Sequence, residues 1–173
     1  GDVVLLSGTI GDHGIAVLSK REGLEFGVPV SSDVAPLNHL VEAMVEVCPH
    51  LRCLRDPTRG GLATTLNELA SQSGVAIKIE ESQIPVRPPV QAACDMLGYD
   101  PLYVANEGKL VAIAPAEYAG KLLETMRRTR YGEDAQIIGT VEETPAGRVL
   151  MKTRIGGTRI VQMLMGEMLP RIC

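Results

Sequence analysis

Residues 51–79 read LRCLRDPTRGGLATTLNELASQSGVAIKI, and several structural periods follow one another within this stretch. Leu51 to Leu54 is a short segment that predicts a strand. Asp56-Pro57-Thr58-Arg59-Gly60-Gly61 is polar, with a proline and paired glycines, and predicts a turn. Leu62, Leu66 and Leu69 recur at helical spacing, and the pattern stops before Gly74, a common helix terminator. Val75 to Ile79 then alternates as a strand does. Strand, turn, helix and strand in such quick succession imply helices packed on a sheet.

The flanking sequence carries the same alternation. Val3-Val4-Leu5-Leu6, bounded by Gly8, predicts a buried strand, and Ile15 to Leu18 opens a helix after the turn Gly11-Asp12-His13-Gly14. Residues 22–35 read as a loop. Pro36 suits a first helical turn with Asp33 as its cap. Leu37, Leu40, Val41, Met44 and Cys48 follow at helical spacing, so Cys48 belongs to the core. Residues 83–89 contain three prolines and form a loop. A helix over 90–97 carries Cys94 as a packing residue. Lys109 to Ala114, Ala135 to Val141 and Val149 to Thr153 are strands, with a shorter one near Arg159–Val161. Glu117 to Arg130 is a helix whose basic end, Arg127, Arg128 and Arg130, suits the negative end of the helix dipole. The expected fold class is α/β, or an α+β layer, with one mixed sheet covered on one face by helices.

Composition narrows the function. A chain of 173 residues with 45% hydrophobic and 22% charged residues has the makings of one folded domain with its own core. One Phe, four Tyr and no Trp leave few platforms for stacked bases, and a net charge of −4 opposes a nucleic-acid groove; no nucleic-acid partner is expected. Cys48, Cys53, Cys94 and Cys173 form no C-x-x-C pair, only three histidines occur, and no metal site is expected. No apolar run is long enough to span a bilayer, so no membrane partner is expected. The thiols read as reduced and the compartment as cytoplasmic. The chain enters a strand directly after Gly1-Asp2, and the expectation is a fragment of a longer protein.

Three turns and the chain end hold the chemistry. Ser7-Gly8-Thr9-Ile10-Gly11-Asp12-His13-Gly14 and Asp56-Pro57-Thr58-Arg59-Gly60-Gly61 each lead from a strand into a helix. Glycine there permits a close backbone approach, and N–H groups at a helix start favour an anion. Arg59 adds a planar cationic fork suited to phosphate. Gly11, Asp12, His13, Gly14, Thr58, Arg59, Gly60 and Gly61 are therefore the candidate phosphate residues. The same residues also suit two capped turns, and neither turn matches a P-loop or a dinucleotide fingerprint. Ala105-Asn106-Glu107-Gly108-Lys109 places an amide, a carboxylate and an amine together. Glu107 suits a general base and Asn106 and Lys109 suit orienting groups or stabilising developing charge, although a solvated polar loop would look alike. The chain ends Pro170-Arg171-Ile172-Cys173. Proline favours an extended exit, and a terminal thiol is a nucleophile and a group carrier. A thiol of ordinary pKa is only about 3% ionised at pH 7, and the adjacent α-carboxylate opposes ionisation further. The carrier role therefore calls for an activated donor or a base from a partner.

Taken together, these segments resemble the C-terminal half of the HypE family of hydrogenase maturation proteins. The Thr-Arg-Gly-Gly turn is shared with the wider AIR synthetase and selenophosphate synthetase superfamily, whereas the terminal Pro-Arg-Ile-Cys is the more specific match. The resemblance implies an AIR synthetase C-terminal-domain-like fold over residues 1–165, with 166–173 as a flexible tail and an N-terminal ATP-binding domain absent. It implies that HypF carbamoylates Cys173 and that ATP with Mg2+, held mainly by the missing half, drives dehydration to a thiocyanate. It implies that cyanide then passes to the HypC–HypD complex for the NiFe centre, and that the full-length protein is a homodimer. Cys173 would be the carrier and Glu107 the base, supported by Asn106, Lys109 and Arg171. Two other readings remain: a partner-docking module without chemistry, and a synthetase acting on a small phosphorylated substrate.

Overall fold

The structure is a computed structural model that describes residues 1–24 and 27–164. Its centre is strand β1, Val3–Leu6, every residue of which is buried. Helix α1, Asp12–Glu22, and helix α2, Asn38–Val47, follow; then β2, Cys53–Arg55, and α3, Gly61–Ser73. Next come β3, Ala76–Glu80; α4, Pro88–Leu97; β4, Val111–Ala114; and α5, Ala119–Arg128. Strands β5, Gln136–Glu142, β6, Arg148–Lys152, and β7, Thr158–Val161, complete the described chain.

The strands form one seven-stranded sheet in the order β2-β4-β1-β5-β3-β6-β7. All neighbours are antiparallel except β3 and β6, which run parallel with Ile77 opposite Val149. The mixed sheet agrees with the fold class read from the sequence.

The cover of the sheet differs from the expectation. On one face α3 packs Leu62, Leu66 and Ala70 against Val4, Leu6 and Ile77. On the other face α2 and α5 pack Leu40, Met44, Leu122 and Met126 against Val3, Leu5 and Ala112. The sheet is thus covered on both faces where β1 and β4 lie. The reason is legible in those strands, whose unbroken apolar runs bury both sets of side chains. Further along, Lys78 and Glu80 of β3 and Arg148 and Lys152 of β6 alternate with buried residues and face solvent, so there the one-faced expectation holds. A third cluster joins α1 to α4 through Ile15, Val90, Ala93 and Cys94 around Val104.

Element ends shift for local reasons. Helix α1 begins at Asp12 rather than Ile15, because Gly11 takes φ 84° and turns the chain directly into the helix. Helix α2 begins at Asn38 without a side-chain cap; Asp33 is not the cap, since it is paired with Lys109. Helix α5 stops at Arg128, and Arg130 lies beyond it over the Tyr131 ring, 4.7 Å from its centroid. Among the described residues no helix is long and apolar enough to cross a membrane.

Candidate functional site

Sheet register brings together the three turns singled out in the sequence. The C-terminal end of β1 lies beside the start of β4, with Leu6 opposite Val111. The end of β2 lies on the other side of the same residue, with Arg55 opposite Val111. The turns after β1 and β2 and the loop before β4 therefore emerge at one end of three adjacent strands. Ser7 stitches the first to the third: its N–H donates to the Leu110 carbonyl at 3.0 Å, and its Oγ accepts the Leu110 N–H at 2.9 Å.

Between the starts of α1 and α3 runs the segment 102–106. Its backbone is packed so tightly that side chains on the neighbouring glycines have no room. A Cβ on Gly14 would lie 2.4 Å from a Val104 methyl, and one on Gly61 2.5 Å from the Leu102 oxygen. Gly14 also donates its N–H to the Ala105 carbonyl at 3.0 Å. These two glycines thus accommodate the protein's own chain, which the sequence alone does not distinguish from a ligand.

Asn106 locks this arrangement and is 1% exposed. Its Oδ1 accepts the Gly11 N–H at 2.8 Å, and its Nδ2 donates to the carbonyls of Pro57 at 2.9 Å and Val104 at 3.1 Å. One amide joins all three turns. Both of its donor hydrogens are used, so of the two roles expected, orienting and stabilising developing charge, the hydrogen bonds of Asn106 suit the first. Glu107, the next residue, is half-buried at the mouth of the same loop. Gly108 follows beneath residue 33, whose carbonyl oxygen would lie 1.7 Å from any added Cβ.

Lys109 is also engaged. Its Nζ lies 2.9 Å from Asp33 Oδ2, and the side chains are 10% and 6% exposed. Neither Asp33 oxygen has an aligned hydrogen-bond donor, so the contact is an ion pair rather than a directed bond. The ammonium also donates to the Gly108 carbonyl at 3.3 Å. Lys109 therefore pins the strap around Asp33 over the loop. Asp12 is buried as well: Thr9 Oγ1 donates to its Oδ2 at 2.6 Å, and Arg87 Nε lies 3.4 Å from its Oδ1. His13 is outside this cluster, its Nδ1 2.8 Å from Ser32 Oγ. A cavity of about 220 Å³ opens over these groups, lined by Ser7, Thr9, Asp33, Arg87 and Lys109 among others.

Arg59 stands apart. It is exposed, and its side chain has no ion pair or hydrogen bond among the described residues. Gly60 and Gly61 behind it have φ of 74° and 62°, which only glycine adopts without strain, and the Gly61 N–H donates to the Thr58 carbonyl at 3.0 Å. An exposed guanidinium without a partner among the described residues, placed before a helix start, suits a phosphate-bearing ligand. The first turn fits one less well, since the Gly11 and Gly14 N–H groups are taken and Asp12 places a carboxylate beside them. Among the described residues no three His, Cys, Asp or Glu side chains cluster to hold a metal ion. Cys173 and Arg171 lie outside the described residues. Sequence reading missed Arg87, an ordinary residue type with no local signal, assigned no role to Thr9 within the first turn, and placed Asp33 elsewhere.

A layered sheet with three glycine-bearing turns gathered at one end defines a class rather than a single activity. The model for the C-terminal domain of AIR synthase related proteins matches residues 1–152, and the chain belongs to that family. Within it, the chain is 60% identical over 173 residues to carbamoyl dehydratase HypE of Azotobacter vinelandii, covering 100% of this chain and 51% of that protein. It is similar to a crystal structure of HypE in complex with ATP, with a TM-score of 0.94 at 50% identity, covering 100% of this chain and 53% of that one. A HypE–HypF complex matches with a TM-score of 0.90 at 50% identity, over 94% of this chain and 52% of that one. The chain spans about half the length of the curated relatives it matches.

Proposed function

We propose that this chain is the carrier and base-bearing half of an ATP-dependent carbamoyl dehydratase in hydrogenase maturation, with residues 1–165 as its domain and 166–173 as its tail. The observation that carries the reading is Glu107, held by Asn106 where three turns converge, within reach of a tail ending in Cys173. The eleven residues after Gln162, whose carbonyl accepts the hydroxyl of Tyr103 four residues before Glu107, span at most about 36–40 Å when extended. The similarity to HypE supports the assignment.

In this reading HypF carbamoylates the Cys173 thiol, as the similarity to the HypE–HypF complex suggests. The S-carboxamide then loses the elements of water: its C–O bond breaks, two protons leave its nitrogen, and a C≡N bond results. The nucleotide supplies, when bound, the phosphoryl group that turns the amide oxygen into a leaving group, so that oxygen departs as phosphate. Glu107 accepts one nitrogen proton, and the other leaves on the departing phosphate. Asn106 fixes the loop, and Lys109 anchors the strap at Asp33. Arg59, with Thr58 and Gly60, meets phosphate oxygens, Gly61 being spent on packing against the segment 102–104, while the missing half holds most of the ATP and its Mg2+. The finished cyano group goes to the HypC–HypD complex, and the whole protein works as a homodimer in the cytoplasm, in keeping with unpaired Cys48, Cys53 and Cys94.

Mass spectrometry of the protein carrying both halves, with HypF, carbamoyl phosphate and ATP, tests this. Cys173 should gain a carbamoyl group and then lose water. Unchanged labelling in a Cys173→Ala variant would overturn the reading. A docking-only role is the second reading, favoured by the chain spanning half of its relatives; tight ATP binding by residues 1–173 alone would contradict it.

A further inference from the structure

A second cavity, of about 410 Å³, shares no lining residue with the one over Asp33 and Lys109. It sits where strands end. Strands β1 and β3 both run antiparallel to β5, and β6 runs parallel to β3, so the three point the same way. Ile10 follows β1, Ile84 follows β3 and Arg154 follows β6, and all three line the cavity. In open α/β sheets ligands bind outside the carboxyl ends of the strands. The floor is aliphatic: Ile10, Ile84, Leu102 and Met151 are buried members of one core cluster. No aromatic ring lines the cavity among the described residues, so a base or a sugar ring has nothing to stack on.

The rim is charged, and its carboxylates already have donors. Asp100 Oδ1 accepts the Leu102 N–H at 3.0 Å, and its Oδ2 accepts from Arg159 Nη2 at 2.6 Å. Glu81 Oε2 accepts the backbone N–H of Arg154 at 2.9 Å. That bond fixes the turn between β6 and β7 over the cavity. The turn is closed by its own bonds, from the Thr153 N–H to the Gly157 carbonyl at 2.7 Å and from the Gly156 N–H to the Thr153 carbonyl at 2.9 Å. The guanidinium of Arg154 is exposed and makes no ion pair or hydrogen bond among the described residues. The unengaged charge at the rim is therefore positive.

We propose that this cavity binds a small aliphatic carboxylate, with its hydrocarbon chain on Ile10, Ile84, Leu102 and Met151 and its carboxylate on the guanidinium of Arg154. The proposal does not rest on the reaction described above. A cationic ligand would face Arg154 and Arg159 together. One unengaged guanidinium matches one carboxylate, through two parallel N–H···O bonds, whereas a doubly charged phosphoryl group calls for more donors than this rim presents. The volume lies in the lower part of the range of about 300–1,000 Å³ found for small-molecule sites, which suits a short chain. The same chemistry is found in a free acid and in the C-terminal residue of a peptide that ends in an aliphatic side chain.

Methyl NMR of the protein carrying both halves, labelled at Ile, Leu and Met methyls, tests this with sodium hexanoate as the probe. The signals of Ile10, Ile84, Leu102 and Met151 should shift and saturate, with a Kd on the order of 1 mM for a ligand of so few atoms. Hexylammonium has the same chain and the opposite charge, and should bind about tenfold more weakly. Arg154→Glu changes an exposed side chain outside the proposed reaction; it should weaken hexanoate about tenfold and reverse the preference between the two probes. N-acetyl-leucine is the third probe. Tighter binding than hexanoate assigns the site to a peptide end, weaker binding assigns it to a free acid, and both support a carboxylate site. The absence of a saturable shift with hexanoate overturns the proposal. So does an equal response to hexylammonium, or hexanoate binding that is unchanged in Arg154→Glu, since either would show an apolar surface without a charge-reading group.

Discussion

The amide of Asn106 and the backbone of Gly11 are joined by a buried 2.8 Å hydrogen bond across 95 residues of sequence. Removing that amide leaves the Gly11 N–H and the Val104 carbonyl without it in the interior, while the Pro57 carbonyl keeps the Asn106 backbone N–H at 3.3 Å. Asn106→Ala should destabilise the domain by about 2–4 kcal/mol, since each unsatisfied buried group costs about 1–3 kcal/mol. Urea unfolding measures this, and a loss under about 1 kcal/mol would show that the turns hold together without it.

The two glycine classes separate in the same assay. Gly61 and Gly74 have nearly the same φ, 62° and 64°, but an added Cβ meets three backbone atoms at Gly61 and nothing within 4 Å at Gly74. Gly74→Ala should cost about 1 kcal/mol, the strain of a left-handed alanine. Gly61→Ala should cost at least twice as much, and equal costs would remove the packing argument.

Lys109 and Asp33 form a pair that is costly to break on one side only. Lys109→Met should lose about 3 kcal/mol by leaving Asp33 buried and unpaired, and Lys109→Met with Asp33→Leu should recover most of it. A double variant as unstable as the sum of its parts would mean that the two residues do not act together.

Glu107→Gln keeps the shape of the side chain and removes its basicity. Carbamoylation of Cys173 should proceed at the parent rate, while thiocyanate formation falls by two or more orders of magnitude. Normal thiocyanate formation, read by mass spectrometry, would take Glu107 out of the reaction.

Cys94 gives a pH-dependent stability. Burial, with Asp95 and Asp100 adding to it, pushes its thiol from 9.0 up to about 11. Between those values the unfolded chain has lost the proton while the folded chain keeps it, so the stabilisation is whole below pH 9 and declines as pH rises to 11. A urea series from pH 8 to 11 should show a steeper fall for the parent than for Cys94→Ala; parallel curves would contradict the shift.

The order of strands and helices was readable because each depends on neighbours in sequence. The period of Leu62, Leu66 and Leu69, the stop at Gly74 and the alternation of Val75 to Ile79 are local signals. Two-faced burial of β1 was present in Val3 to Leu6 as well, since a run without polar alternation has no solvent side. The use of Asp33 was not readable. Its partner Lys109 is distant in sequence, and a carboxylate shortly before a helix has the look of a cap whatever it pairs with. The glycines were ambiguous for a similar reason: a missing Cβ shows that something comes close, not whether it is a ligand or the chain itself.

By itself, then, the sequence of this protein determined its elements, its fold class and the residue types able to do chemistry, because propensity, periodicity and side-chain basicity are properties of short segments. Only the tertiary structure decided that three turns meet at the end of β2, β4 and β1, that Asn106 is spent on holding them, and that Tyr103 meets Gln162 where the last strand ends. Those facts depend on strand order and register, which arise from burying many distant side chains at once.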